Sequence, residues 1–133
     1  MKVVYQLFVR GIPKAQPRPR MAASGHVFNP KSADAWKAEI KATFMAFRKR
    51  IITGPVHLSV TFFMPIPKGM KVNEDEFIPH IKKPDTDNLL KAVMDSLTQI
   101  GVWKDDSQVY STEAVKGYGR GPTGARIKIL TEE

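Results

Sequence analysis

The sequence predicts an α+β fold: one compact domain, residues 1–133, in which a mixed or antiparallel sheet of about four strands packs against two main helices. Three observations predict it. Four stretches read as strands, the clearest alternating apolar and polar residues with the period of two that opposite-pointing side chains impose. Two others repeat their apolar residues every three to four positions, the spacing of one helical face. Finally, 133 residues, 42% of them hydrophobic, suffice for one core but not for two.

In VVYQLFVR, Val3, Tyr5, Leu7 and Val9 alternate with Val4, Gln6, Phe8 and Arg10, a strand apolar enough to be buried on much of both faces. The four prolines of GIPKAQPRPRMAASGHVFNP forbid a helix, so this stretch reads as an extended basic loop with GHVFNP as a short hairpin arm. Ser32 or Asp34 is placed to cap a helix whose core stripe is Trp36, Ile40, Phe44, Phe47 and Ile51; Lys37, Lys41, Arg48 and Lys49 take its other face, to reach phosphate or simply be solvated. Gly54-Pro55 ends that unit. The next strand, VHLSVTFFM, alternates at Val56, Leu58, Val60, Phe62 and Met64; His57, on its other face with no partner histidine nearby, reads as structural or exposed. Residues 65–84 are polar and proline-rich, with Glu74, Asp75 and Glu76 as a solvated turn, and a connection of that length flanks a site or orders on binding. A second helix follows over residues 87–100, with its stripe at Leu90, Val93, Met94, Leu97 and Ile100 and Gly101 suited to its C-terminal cap. VYSTEAVKGYG and ARIKILTE complete the chain as two strands close enough to pair as a hairpin.

Charge narrows the function. Residues 10–50 carry ten Lys and Arg against two acids, so the formal +8 of the whole chain lies in that segment and the remainder is neutral. A polyanion is the natural partner of such a segment, a solvated basic surface the plain alternative and an acidic membrane surface a third. No apolar run approaches the ~20 residues of a bilayer crossing, and MKVVYQLFVRG lacks the apolar core and cleavage site of a signal peptide, so a cytoplasmic protein without a membrane partner is expected. With no cysteine there is no disulfide, thiolate nucleophile or Cys-ligated zinc, and any metal must sit on oxygen or histidine.

Against this basic background stand four acids. In PDTDN, Asp85 and Asp87 flank Thr86 in an entry segment restricted by Pro84, and in extended chain residues i and i+2 point the same way. Beyond the helix, GVWKDDSQV supplies Asp105 and Asp106, and an antiparallel return after Gly101 brings either back to the helix entrance if the chain folds that way. Three or four oxygens then converge as a hard-cation site for Mg²⁺, bound by a few carboxylates plus water and substrate phosphate. The plainer readings are a helix cap at Asp87 and ordinary turns at Asp85, Asp105 and Asp106. Lys91, four residues after Asp87, is either an i,i+4 salt bridge to it or a catalytic cation. No histidine cluster, Ser/His/Asp order or glycine-rich phosphate loop competes, so no nucleotide cofactor is expected.

PDTDNLLKAVMDSLTQIGVWKDDSQV closely resembles the signature of RusA-type Holliday junction resolvases, small metal-dependent endonucleases of phages, prophages and bacteria, in which PD-x-DN-x-x-K is followed by D-[AS]-L and G-[VIL]-[WY]-x-DD-[SA]-[QR]. GIPKAQPRPR is similar to that family's G-x-P-x-x-K-x-RPR, with Gln16 where many members carry lysine. The resemblance implies that Asp85, Asp87 and Asp106 are metal-binding catalytic acids, that Lys91 is an essential cation, and that Mg²⁺, or Mn²⁺, is the cofactor. It also implies a homodimer making paired nicks in four-way junction DNA. Lys14, Arg18, Arg20, Lys82 and Lys83 are the candidate phosphate contacts, Trp103 a support for the acidic turn and Gln108 its hydrogen-bonded brace. Two other readings stand beside this one: a nuclease for flaps or forks, and a noncatalytic nucleic-acid-binding module whose acids only cap and turn.

Overall fold

The most regularly alternating segment of the chain lies at the centre of the sheet. In the computed structural model, which describes residues 1–28 and 30–132, this strand is β4 (Val56–Phe63), with Val56, Leu58, Val60 and Phe62 essentially inaccessible to solvent. The other elements are β1 (Lys2–Arg10), β2 (Arg20–Met21), β3 (Val27–Phe28), α1 (Asp34–Ala46), β5 (Phe77–Pro79), α2 (Thr86–Gln99), β6 (Val109–Gly119) and β7 (Gly124–Thr131), with a 3-10 turn at Asp106–Gln108 before β6. The main sheet runs β1-β7-β4-β6-β5, parallel between β4 and β6 and antiparallel elsewhere; β2 and β3 form the separate hairpin arm. The α+β class with a mixed sheet and two helices is therefore as expected, with a fifth strand added from the loop after β4.

β6 and β7 do not pair with each other: β4 lies between them. The four residues 120–123 have to span two strand spacings, about 9.6 Å, well within the reach of four extended residues. The alternative hairpin would leave β4, apolar along its whole inner face, without one of its neighbours.

One core holds both helices against this sheet. α1 contributes Trp36, Ile40 and Phe44, and α2 contributes Leu89, Ala92, Val93 and Leu97. Each stripe is shifted from the sequence expectation. α1 starts behind Ala33 without a side-chain cap, so neither Ser32 nor Asp34 serves, and it ends at Ala46. Phe47 and Ile51 are consequently exposed, and Ile52 enters the core instead, bridging to Trp103. In α2 the deepest face is Leu89, Val93, Ser96 and Leu97, with Leu90, Met94 and Ile100 only partly buried; the buried Ser96 hydroxyl is satisfied by donating to the Ala92 carbonyl at 2.8 Å. Gly101 follows at φ 75°, a left-handed conformation that favours glycine, and its N–H reaches Thr98 O at 3.1 Å. β1, at the sheet edge, buries only Tyr5 and Val9 fully and leaves Val3 exposed. No helix among the described residues is long and apolar enough to cross a membrane.

Candidate active site

Asp85 occupies the N-cap position of α2 with extended backbone, φ −69° and ψ 147°, yet its side chain makes no capping hydrogen bond. Its exposed carboxylate is thus not engaged by the helix it begins. Asp87, also exposed, sits in the first turn and accepts the Asn88 N–H at 2.9 Å. Both acids stand at the positive end of the helix dipole, where ionised carboxylates are favoured. Lys91 lies farther along α2 with its side chain 62% exposed; its ion pair, at 3.9 Å, is with Asp95 and not with Asp87. So long and open a pair leaves the ammonium available.

Asp106 is at the other end of this helix. Thr98 Oγ1 donates to Asp106 Oδ1 and itself accepts the Trp103 indole N–H at 2.6 Å. Thr98 is eleven residues beyond Asp87, about 16 Å along an α-helix. The chain after Gly101 does not run back along α2: Val102 N–H bonds Leu97 O, Ile52 N–H bonds Val102 O, and the Ile52 bridge to Trp103 pins the turn where the helix ends. The expected convergence of Asp105 or Asp106 on the helix entrance within one chain is therefore not what the fold provides. Among the described residues no three His, Asp or Glu side chains gather closely enough to hold a metal ion. The pair at the start of α2 nevertheless fits what Mg²⁺ takes, one or two carboxylates with phosphate and water completing the shell.

The two adjacent acids of the turn differ in kind. Asp105 caps the 3-10 turn, accepting the Ser107 N–H at 3.0 Å, while Gln108 Oε1 accepts from Lys104 and Asp105 N–H groups at 2.7 and 2.9 Å. Gln108 Nε2 then donates to the carbonyls of Ile52 and Gly54. Trp103, wholly buried, supports this turn through Thr98. Asp105 is thereby occupied, and Asp106 is left half-buried beside Thr98.

The N-terminal basic loop returns to the entrance of α2. Gln16 N–H bonds Asn88 O at 3.0 Å, closing one wall of a cavity of about 840 Å³ onto which Lys14, Arg18, Arg20, Lys83, His80 and Asp85 all face. Four of the five candidate phosphate contacts therefore share a cavity with one of the acids; Lys82, though exposed, does not line it. Lys49, beyond the end of α1, is a different matter: it donates to Val4 O at 2.7 Å and lies over the Tyr5 ring, which makes it a clamp between the segment after the helix and the edge strand.

Two residues of this region carry no local signal. His80 is buried, its ring tilted against that of Tyr118 at 5.2 Å between centroids, and its Nδ1 has no partner among the described residues. Burial first, then the charges of Lys116 and Lys82, hold its pKa below the ordinary 6.5. Lys116, on β6, donates to the carbonyls of Lys82 at 2.5 Å and Pro84 at 2.7 Å. In sequence it is an ordinary lysine of an alternating strand; only the pairing of β5 with β6 brings it here. His57 is structural in the expected sense, sharing a hydrogen bond at 2.7 Å with Ser111 Oγ on the neighbouring strand.

Comparison with known proteins agrees with the sequence resemblance. The family model of the endodeoxyribonuclease RusA matches residues 10–130. An uncharacterized Bacillus subtilis protein, YqaN, is 32% identical over 136 residues, covering 94% of this chain and 93% of its own length. The crossover junction endodeoxyribonucleases of Enterobacteria phage 82 and of Escherichia coli K12 are 36% and 32% identical over 83 and 82 residues. Each of those alignments spans 60% of this chain and 65%, just under two thirds, of the relative. With its matched span reaching from the last residue of β1 almost to the end of β7, the chain belongs to the RusA endodeoxyribonuclease family.

Proposed function

We propose that this protein is a Mg²⁺-dependent endonuclease that resolves four-way DNA junctions in recombination and repair, by paired hydrolysis of phosphodiester bonds from a homodimer. The observation that carries the reading is the Asp85 and Asp87 pair, with Asp85 free of capping duty at the mouth of a cation-lined cavity. Acids placed among phosphate-binding arginines and lysines repel the substrate unless a divalent ion joins them. Mn²⁺ satisfies the same oxygen donors.

Each part of the site then has a task. Asp85 and Asp87 would hold the ion, which would supply an activated water and neutralise charge on the phosphate. Lys14, Arg18, Arg20 and Lys83 grip the backbone of the strand and set its register without reading its bases. Lys91, beyond Asp87 on α2, then offsets charge building on the phosphate as the bond breaks.

The far position of Asp106 supports the dimer. One protomer separates this acid from the other two by about the length of α2, so a third carboxylate joins the pair when a second copy lies antiparallel to the first. A two-fold arrangement completes two such sites at once, which suits paired incision of a junction with the same symmetry.

The test is to incubate the protein with a synthetic four-way junction or linear duplex in Mg²⁺ or EDTA and map the nicks; symmetric paired nicks in the junction alone, and only with metal, are expected. Mixing Asp87→Asn with Asp106→Asn subunits tests the shared site. If acids come from both protomers, the mixed dimer contains one intact site and nicks the junction once. If each protomer holds its own three acids, every site in the mixture is damaged and no activity returns.

A further inference from the structure

Among the described residues, the segment between β5 and α2 has few ties of its own. His80 N–H bonds Lys116 O at 3.1 Å, the last step of the β5–β6 pairing, and the chain then runs through residues 81–84 to the N-cap at Asp85. What holds that stretch is a side chain. The Lys116 ammonium, with three donors on a flexible stem, reaches two carbonyls two residues apart, those of Lys82 and Pro84. Pro84 O belongs to the peptide whose nitrogen is that of Asp85, so one of these bonds sets the peptide plane from which the Asp85 carboxylate hangs. Lys116 itself is fixed by β6, held in register between β4 and β5.

We infer that Lys116 is a positioning residue for the active site: by clamping the carbonyls of Lys82 and Pro84 it fixes the orientation of Asp85 at the start of α2. It touches neither substrate nor ion, and it is not one of the cations that grip the backbone, because its donors are turned to the protein. The inference rests on the nuclease reading for its catalytic consequence but not for its structural one. Groups that orient a metal-binding carboxylate characteristically change metal affinity or activity by about 10- to 100-fold when removed.

The test uses Lys116→Met, which keeps an unbranched stem without donors, and Lys116→Arg, which keeps donors in a different geometry. Three quantities are read on the full chain: amide hydrogen exchange over residues 82–90, affinity for Mn²⁺ alone by calorimetry, and junction affinity. Lys116→Met should exchange faster over 82–90 while α1 and β4 stay protected. Its Mn²⁺ affinity should fall about 10- to 100-fold. Junction affinity should change by less than about threefold, since no phosphate contact is lost. Lys116→Arg should recover part of both losses. Unchanged exchange over 82–90 in Lys116→Met overturns the inference, and so does a loss of Mn²⁺ affinity matched by equal losses of junction affinity and melting temperature. Should the wild-type protein nick no branched DNA, the nuclease reading falls, while the exchange measurement still decides whether Lys116 holds the Asp85 segment.

Discussion

Thr98 and Asp106 are hydrogen-bonded to each other, and that bond places an acid of the second motif at the opposite end of the helix from the acids of the first. The Thr98 hydroxyl also receives the Trp103 indole N–H, so one side chain serves a buried donor and an acid together. Thr98→Val should leave the indole N–H without a partner and free Asp106 to rotate. We expect a loss of about 1–3 kcal/mol in denaturant unfolding, from the unsatisfied buried group. Nicking should fall by more than that destabilisation alone explains, measured well below the unfolding midpoint.

Asp85→Asn, Asp87→Asn and Asp106→Asn each remove one negative oxygen donor with almost no change of shape. Each should lower the nicking rate by about 100-fold or more while junction binding persists. Lys91→Ala should cost about 10²- to 10³-fold in rate, with much less lost in affinity. Full activity in all three asparagine variants would sink the metal-site assignment, and equal loss of rate and affinity in Lys91→Ala would reduce that residue to a phosphate contact.

Arg18 and Arg20 line the cavity beside Asp85 and are both exposed. The double variant Arg18→Ala with Arg20→Ala should weaken junction binding at every sequence tested and flatten the dependence of log K on log salt by about 1–2 units. Cleavage at saturating protein should fall less than affinity. An unchanged salt slope would show that the resemblance of this loop to the RPR motif reflects folding alone.

Gly117 lies on β6 opposite Pro79 of β5. A Cβ there would stand 2.5 Å from carbons of the Phe77 ring and 2.7 Å from Ile78 O. The ring can swing, but the backbone oxygen cannot yield without parting the two strands. Gly117→Ala should therefore destabilise the protein by about 1–3 kcal/mol. It should also shift the segment that carries Asp85, visible as increased amide exchange at residues 80–86.

His80 gives the stability of the fold a pH dependence with a definite sign. Its pKa lies below 6.5 in the native state because burial and then the ammonium groups of Lys116 and Lys82 disfavour the imidazolium. The unfolded chain therefore binds the proton more readily. The contribution is fully present above the unfolded value near 6.5 and is lost as pH falls through 6.5 toward the lower native value. His80→Gln should flatten the stability profile measured by urea unfolding between about pH 7.5 and 5. A profile as steep as that of the wild type would assign the pH dependence to other groups.

The sequence by itself determined the kinds of elements and the parts of the site made by neighbouring residues. Period-two alternation in 56–64 and the apolar repeat of 87–100 are local properties, and each formed the element it predicts because a strand or helix must bury that face. The brace of Gln108 and the support of Trp103 were legible for the same reason, since their partners in the acidic turn lie within a few residues. Tertiary structure decided the rest. Whether β6 pairs with β7 or with β4 depends on which arrangement buries the inner face of β4, and no local pattern records that. Helix ends in α1 shifted because Ile52 fits the core beside Trp103 and Ile51 does not. The two acid groups, close in sequence, were separated because a turn of ordinary length after Gly101 was fixed by Ile52 and Val102 at the helix end, with nothing to carry it back along α2. Lys116 and His80 came to the site through strand pairing, across more than thirty residues for the lysine's contacts with Lys82 and Pro84. Periodicity is the imprint of one element's own burial; the choice of neighbour is settled by the free energy of the whole core.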